Sequence, residues 1–203
     1  MFVRAFTLGR SSRPTHEFMK ILIREGASHL IDLRDENKYK PSSAREKNLN
    51  SCMKANGIRK MVGMERTYSI SDPCLLHRMQ SGASVSYVDG RSRYDVSELM
   101  KSVWGLKDHN RAPILAIIGG DVEPFGCIRS VWISKGLSSK GVEVCHVIDK
   151  DRKIGHDVME RWLVARYGMS LSGARAYNDA RFVRAAYEMH AKHLVKVAAA
   201  GRR

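Results

Sequence analysis

An unbroken apolar run, Pro113 to Ile118, stands in the middle of a chain that is otherwise rich in charge. Gly119 and Gly120 end the run. A short apolar run that is bounded by turn residues is typical of a strand buried on both faces, as in the centre of a parallel sheet. Helices must cover both faces of such a strand. The run therefore predicts an α/β fold with an open, mainly parallel sheet.

Alternating strand and helix patterns on either side of this run extend the prediction. Thr15 is placed as the N-cap of the first helix, and Gly26 is placed to end it. Two strands joined by a helix favour parallel pairing through a right-handed crossover, so helices are expected on both faces of the sheet. The predicted elements around the apolar run are strands at Phe2–Leu8, His29–Leu33 and Val142–Ile148, and helices at Thr15–Gly26 and Cys127–Leu137.

The segments between these units are polar and give weaker patterns. Asp35 to Asn50 is polar and basic and predicts a long loop, followed by a helix from about Glu46 to Asn56. No period is sustained over residues 58–94, where only Ser84 to Val88 indicates a strand. An apolar stripe with helical spacing predicts a helix over Val96 to Leu106.

The chain changes character after residue 150. Gly155 to Tyr167 and Ala174 to Ala199 both have the apolar spacing of helices. We therefore predict an α/β domain over residues 1–150 and a basic helical extension over residues 151–203. These C-terminal helices are expected in addition to those that cover the sheet.

The charge of the chain favours an anionic partner. Lysine and arginine number 35 against 21 acidic residues, which gives a net charge of +14. Such a charge attracts nucleic acid or a phosphorylated small molecule at long range, although a basic surface also serves solubility alone. The cations on the predicted last helix suit a phosphate backbone, with a solvated basic face as the alternative. These candidate nucleic-acid-binding residues are Arg175, Arg181, Arg184, Lys192 and Lys196.

Several classes of protein are not indicated by the sequence. The four cysteines form no C-x-x-C pair and have no histidine at zinc-finger spacing, so no metal and no redox motif is predicted. No nucleotide-binding glycine loop or hydrolase elbow occurs, and no cofactor is predicted. The N-terminus does not resemble a secretory signal, and no apolar window is long enough to span a membrane. We expect a cytoplasmic protein without a membrane partner.

Polar residues follow three predicted strands. Ligands of open α/β sheets bind outside the carboxyl ends of the strands, so these residues are expected to converge. A mixture of arginines and carboxylates suits an anionic substrate with one reactive carboxylate, and it equally suits a structural ion-pair network. The residues are Arg10 and Ser11 after the first strand, Asp32 and Arg34 at the end of the second, and Asp121, Glu123, Cys127 and Arg129 after the apolar run.

The roles of these residues are predicted from their chemistry. Arg10, Arg34 and Arg129 are expected to bind anionic groups, and Asp32 or Asp121 to be the reactive carboxylate. Cys127 is a candidate nucleophile, with a half-buried cysteine at the start of a helix as the alternative. His146 in the last strand is a candidate ligand contact, with a hydrogen-bonded core histidine as the alternative.

Four motifs together resemble the DUF488 family, a family whose function is undefined. Phe6-Thr7-Leu8-Gly9-Arg10-Ser11 resembles the opening strand of that family, and Leu30-Ile31-Asp32-Leu33-Arg34 resembles its LVDVR strand. Leu115 to Arg129 is similar to its long segment that ends in Cys-His-Arg, and Val144 to Ile148 is similar to its closing strand. The similarity covers about residues 3–165.

The resemblance implies the α/β fold and an enzyme-like site at the carboxyl edge of the sheet. Three positions depart from the family: Gly119 replaces a cysteine, Asp121 a glutamate and Ile128 a histidine. A histidine acid or base is thereby absent at position 128. We predict an enzyme that acts on nucleotides or nucleic acid by hydrolysis or transfer at a glycosidic or phosphate ester bond. A non-catalytic, basic nucleic-acid-binding protein is the alternative, and the sequence leaves open which of the two applies.

Overall fold

The structure is a computed structural model that describes residues 3–10, 13–34, 43–61, 101, 105, 112–119, 124–126, 128–167 and 179–200. Its strands are β1 (Arg4–Gly9), β2 (His29–Asp32), β3 (Arg59–Met61), β4 (Ile114–Gly119), β5 (Glu143–Val147) and β6 (Lys153–Gly155). Its helices are α1 (Thr15–Arg24), α2 (Ala44–Ala55), α3 (Ile128–Ser139), α4 (His156–Arg166) and α5 (Ala180–Ala200), with a 3-10 turn at Pro124–Gly126.

The strands form one six-stranded sheet in the order β3-β2-β4-β1-β5-β6. The pairings of β1 with β4 and β5, and of β2 with β3 and β4, are parallel. The predicted α/β class with a mainly parallel sheet is therefore confirmed. The predicted apolar run forms β4, which is paired on both sides and buried from Leu115 to Gly119.

Apolar side chains are buried on both faces of the sheet. Phe6, Leu8 and Ile118 join one core cluster with side chains of α1 and α2. Their neighbours along β1 and β4, among them Ala5 and Ile117, point to the other face and are also buried. Because the connection from β4 to β5 runs opposite to that from β1 to β2, a right-handed crossover brings α3 to this second face.

The strand order creates a switch point between β1 and β4. These two strands are neighbours, yet the chain leaves β1 toward β2 on one side and leaves β4 toward β5 on the other. In open α/β sheets the crevice at such a point, outside the carboxyl ends of the strands, is the usual ligand site. The predicted polar clusters follow these same strands.

Several element boundaries differ from the predictions. Thr15 is the first residue of α1, and Pro14, with a φ of −55° and a ψ of 148°, is its N-cap. α2 begins at Ala44 with Ser43 as its N-cap, before the predicted start at Glu46. The short strands β3 and β6 were not predicted. Of the predicted helix Val96–Leu106 only two residues, both helical, are described, and the predicted strand at 84–88 lies outside the described residues.

The chain divides into two compact units, of which the first comprises Met1–Ser69 and Arg93–Lys153 and the second comprises Ile70–Ser92 and Ile154–Arg203. In the described part of the second unit α4 contacts α5 through polar as well as apolar side chains. The Tyr187 hydroxyl lies 3.1 Å from Nε2 of His156, and the Tyr167 hydroxyl lies 2.9 Å from Nδ1 of His190. All the elements of the sheet before Ile154 belong to the first unit.

None of the helices in the described part of the chain is both long and apolar enough to cross a membrane.

Candidate anion-binding site at the carboxyl edge of the sheet

The carboxyl ends of β1, β2 and β4 are joined by backbone hydrogen bonds. The N–H of Arg10 donates to the carbonyl of Gly119 at 3.0 Å, and the N–H of Leu33 donates to the carbonyl of Ile118 at 2.9 Å. These bonds continue the parallel ladder one residue past the strands. The side chains of Arg10, Asp32 and Arg34 are thereby brought to one edge, as the sequence predicted from strand order alone.

Arg34 forms a buried double fork with two carboxylates. Its Nε and Nη2 donate to Oδ1 and Oδ2 of Asp32 at 2.9 and 2.7 Å. Its Nη1 and Nη2 donate to Oε1 and Oε2 of Glu46 at 2.9 and 2.7 Å. Asp32 also accepts from the backbone N–H of Arg34 at 3.1 Å, and Nζ of Lys60 lies 3.5 Å from its Oδ2. Two bidentate pairs on one guanidinium fix its orientation.

Glu46 reaches this fork because Ser43 starts α2 in front of it. The Ser43 side chain accepts the backbone N–H of Glu46 at 3.4 Å, and Glu46 stands in the first turn, where a carboxylate also complements the helix dipole. Glu46 was not among the predicted site residues. The Ser-x-x-Glu spacing of a capping box was the available signal.

Protonation equilibria in the fork favour the charged forms. The hydrogen bonds from Arg34 hold the pKa of Glu46 below its ordinary value. Burial alone would raise the pKa of Asp32, but the hydrogen bonds and charge of Arg34 outweigh it and lower that pKa. Burial opposes the charge of Arg34 as well, yet the two carboxylates raise its pKa. A carboxylate in such a fork is a weak base, because its protonated form is disfavoured.

Arg10 is buried at the same edge without such a fork. The residue is 1% exposed, and its guanidinium lies 4.9 Å from the centre of the Phe18 ring. Nη1 donates to the carbonyl of Arg13 at 2.6 Å and Nη2 donates to Oγ1 of Thr15 at 3.0 Å. Nε is buried and has no hydrogen-bond partner among the residues that the structure describes. Among the described residues no carboxylate contacts Arg10.

The surroundings of Arg10 add further positive charge. Burial lowers the pKa of Arg10, and the nearby charge of Arg45 lowers it further. A lowered pKa means that the site disfavours the charged form of the side chain. Glu46 and Asp32 act in the opposite direction, but both carboxylates are already engaged by Arg34.

Arg13 and Arg45 complete the cationic edge. Nε of Arg13 donates to the carbonyl of Gly9 at 3.1 Å and Nη2 donates to the carbonyl of Ile148 at 2.7 Å, so this side chain ties β1 to the end of β5. Nη2 of Arg45, at the start of α2, donates to the carbonyl of Arg13. In the described part of the edge four arginines and Lys60 therefore face two carboxylates. Neither Arg13 nor Arg45 was among the predicted site residues.

The remaining predicted site residues lie elsewhere or outside the described residues. His146 lies within β5, fully buried, with Nδ1 2.7 Å from the Thr7 hydroxyl on the neighbouring strand. Arg129 lies in the first turn of α3, and its side chain is outside the described part of the structure. Ser11, Asp121, Glu123 and Cys127 also lie outside the described residues.

The predicted cations of the last helix have their own partners where the structure describes them. Arg181 donates to Asp179 at 2.7 Å, and Arg184 lies 3.1 Å from Glu188, four residues later on α5. Lys192 is exposed. The side chain of Lys196 lies outside the described part of the structure, as does Arg175.

The residues of the edge suit an oxyanion. Guanidinium groups held by backbone carbonyls keep a fixed geometry, and a group of several such donors binds phosphate or carboxylate oxygens. Among the described residues no cluster of three metal-binding side chains occurs.

Comparisons with protein-family models, curated protein sequences and solved structures gave no match. The interpretation of the edge therefore rests on its own geometry.

Proposed function

We propose that the chain binds a phosphate group of a nucleotide or nucleic acid at the carboxyl edge of its sheet. Arg10, Arg13 and Arg45 are the cations assigned to that phosphate. One observation carries the proposal: Arg10 is a buried guanidinium that has an unsatisfied Nε and no carboxylate contact among the described residues.

The contrast with Arg34 supports this assignment. A buried charge is costly unless it is paired, and Arg34 is paired twice. Its donors are directed at Asp32 and Glu46, so Arg34 is assigned a supporting role and not contact with the ligand. Arg10 is buried without a carboxylate partner among the described residues. An anion beside it would offset the desolvation of its charge.

The charge of the whole chain supports phosphate over a smaller anion. A net charge of +14 raises the local concentration and the association rate of polyanions. A phosphate monoester carries up to two charges and three acceptor oxygens, which matches several guanidinium groups better than a single carboxylate does.

Catalysis at this edge remains a prediction from the sequence. Hydrolysis or transfer at a glycosidic or phosphate ester bond requires a carboxylate that is not consumed by an ion pair. Because Asp32 is held by Arg34, Asp121 is the better candidate for that role, with Cys127 as the alternative nucleophile. The resemblance to the DUF488 family is likewise part of this proposal.

Binding of a fluorescent mononucleotide to the full chain tests the proposal. Arg45→Gln removes one exposed cation of the edge, and we expect roughly a tenfold loss of affinity, the effect of one charged hydrogen bond. Arg59→Gln is the matched control, because Arg59 is an exposed cation at the amino end of β3. Arg10→Lys keeps the charge without the fork and should weaken binding at least as much.

Inorganic phosphate is expected to compete with the mononucleotide and to raise the unfolding free energy of the chain. Urea unfolding of each variant shows that it is folded before binding is measured. Equal affinities for Arg45→Gln, Arg10→Lys and the Arg59→Gln control would contradict the proposal, as would a mononucleotide that does not bind at low salt.

A further inference from the structure

The connection from β1 to α1 holds two arginines whose side chains bind its own backbone. Nη1 of Arg10 donates to the carbonyl of Arg13 at 2.6 Å, and Nε of Arg13 donates to the carbonyl of Gly9 at 3.1 Å. The backbone N–H of Arg13 also donates to the carbonyl of Arg10 at 3.0 Å. Neither guanidinium forms a salt bridge with a residue that the structure describes. Two positive charges therefore lie in one short segment without a carboxylate among these residues.

The N-terminus of α1 follows this segment directly and has no side-chain cap. Pro14 occupies the N-cap position. The first N–H that is bonded within the helix is that of Phe18, which donates to the carbonyl of Pro14 at 3.1 Å. The N–H groups of Thr15, His16 and Glu17 donate to no acceptor in the described part of the chain. They point out of the start of the helix, where the helix dipole is positive.

The acidic residue of this first turn does not neutralise the N-terminus by hydrogen bonding. The side chain of Glu17 is 54% exposed, and its Oε1 lies 4.0 Å from Nε2 of His16. Its carboxylate accepts none of the N–H groups of its own turn among the described hydrogen bonds. The start of α1 is thus left to an anion from outside the chain.

Arg10 joins the cationic segment to the start of the helix. Its Nη2 donates to Oγ1 of Thr15 at 3.0 Å, so the guanidinium lies at the first residue of α1. Arg10 is 1% exposed, and its buried Nε has no partner among the described residues. Because the Thr15 hydroxyl accepts from Arg10, its own proton is left to donate, and no described residue accepts it. A buried donor, a hydroxyl proton and helix N–H groups therefore occur together.

We infer that the start of α1, with Arg10, Arg13 and Thr15, binds a terminal phosphate monoester as its dianion and disfavours a phosphodiester. The inference rests on the phosphate binding proposed above and specifies the class of its ligand. A monoester carries about two charges at neutral pH, and its three unsubstituted oxygens all accept hydrogen bonds. Two charges match the two guanidinium groups that have no carboxylate in the described part of the edge.

The shape of the ligand supports the same choice. Arg10 is buried, so a group that approaches its Nε has to be narrow. A terminal phosphate presents three oxygens on one side, which can be directed at Arg10, at Arg13 and at the helix N–H groups. A diester carries one charge and two unsubstituted oxygens, with a substituent on either side of them. It therefore satisfies fewer of these donors and compensates only one of the two charges.

The preference is measured by competition against a mononucleotide that carries a fluorophore on its base, with the full chain at neutral pH. The competitors are a nucleoside 5′-monophosphate and the methyl ester of the same phosphate. We expect the methyl ester to bind roughly ten- to a hundredfold more weakly, the effect of one lost charged hydrogen bond. Equal affinities for the two compounds would overturn the inference and leave the proposed phosphate site in place. Binding of neither compound would contradict the phosphate site itself.

Two positions connect the preference to the start of α1. Thr15→Val removes the hydroxyl at nearly unchanged volume and should weaken binding of the monophosphate about tenfold, whereas Thr15→Ser should retain the affinity. Arg13→Gln should weaken the monophosphate more than the methyl ester, and Arg59→Gln is its matched control. Urea unfolding shows that each variant is folded. A Thr15→Val variant that binds as Thr15→Ser does, together with an unchanged preference in Arg13→Gln, would overturn the assignment.

A terminal phosphate is present both in free nucleotides and at the ends of nucleic-acid strands. Two oligothymidylates, one with and one without a 5′-phosphate, distinguish these sources in the same competition. Stronger competition by the phosphorylated strand would support the inference and identify strand ends as ligands. Competition by the monophosphate and by neither strand would support it for free nucleotides. Equal competition by the two strands at the level of the monophosphate would contradict it, because internal diesters would then suffice.

Discussion

Arg10 and Arg34 are both buried guanidinium groups at one edge of the sheet, yet their surroundings differ. Arg34 donates to two carboxylates, whereas Arg10 donates to a carbonyl and a hydroxyl, and its Nε has no partner in the described part of the chain. The pKa of Arg34 is raised and that of Arg10 is lowered. We therefore assign a stabilising role to the Arg34 fork and a ligand-binding role to Arg10.

Glu46→Gln tests the stabilising part of that account. The substitution keeps the shape of the side chain but removes one of the two charges that compensate Arg34. Because Asp32 still pairs with Arg34, we expect the unfolding free energy at pH 7 to fall by about 1.5 to 3 kcal/mol, the usual worth of a hydrogen bond to a charged group. Urea unfolding measures this loss. Glu143→Gln, at an exposed position on β5, is the matched control and should change little.

The same fork predicts a pH dependence. The folded-state pKa values of Asp32 and Glu46 lie below their unfolded values, which are about 4. The stability they contribute is therefore fully present above about pH 4 and is lost as the pH falls through the folded pKa values. In Glu46→Gln the decline of the unfolding free energy below pH 4 should be shallower than in the unaltered chain. An equally steep decline would contradict the role of Glu46.

At the scale of elements, the predictions succeeded where burial determines structure. β4 was predicted because its unbroken apolar run is typical of a strand covered on both faces, and β1, β2 and β5 were predicted from their own short apolar, β-forming segments. β3 and β6 were missed because Arg59-Lys60-Met61 and Lys153-Ile154-Gly155 are short, and their sequences carry no alternation. Strands of this kind are specified by the neighbour they pair with and not by their own residues.

The residues of the candidate site were likewise predicted only in part from the sequence. Strand order predicted that Arg10, Asp32 and Arg34 would meet, because the carboxyl ends of parallel strands share one edge. It did not predict that Glu46 would complete the fork, since this contact depends on the angle at which α2 leaves its N-cap. Arg13 was also missed, because its partners are the backbone carbonyls of Gly9, four residues earlier, and of Ile148, far along the chain, and no side-chain pattern reveals such contacts.

Two turns of the first unit depend on glycine. Gly26 and Gly57 follow α1 and α2 with φ of 72° and 68°, a region that costs other residues about 1 to 2 kcal/mol. An added Cβ would meet Ile114 Cδ1 at an ordinary 3.4 Å from Gly26 and no atom within 4 Å from Gly57. We expect Gly26→Ala and Gly57→Ala to lose similar stability in urea unfolding. Gly57→Asn should lose less, because Asn tolerates this conformation.

At the scale of the whole molecule, the chain divides into two compact units, and the cationic edge of the sheet belongs to the first of them. This edge offers guanidinium groups held by backbone carbonyls, which suits a single phosphate. A net charge of +14 directs polyanions to any cationic surface of the chain, so the net charge alone does not locate the binding site.

The charge of the whole molecule and the contacts at the edge predict different salt dependences. Arg45→Gln and Arg59→Gln lower the net charge equally, so both should reduce the long-range attraction of a mononucleotide by a similar small amount at low salt. Only Arg45→Gln should also weaken binding at high salt, because a direct contact with the phosphate is screened less than a charge at longer range. Fluorescence titrations of the unaltered chain and the two variants over a salt series measure this. Equal affinities of the two variants at every salt concentration would contradict the assignment of Arg45 to the phosphate.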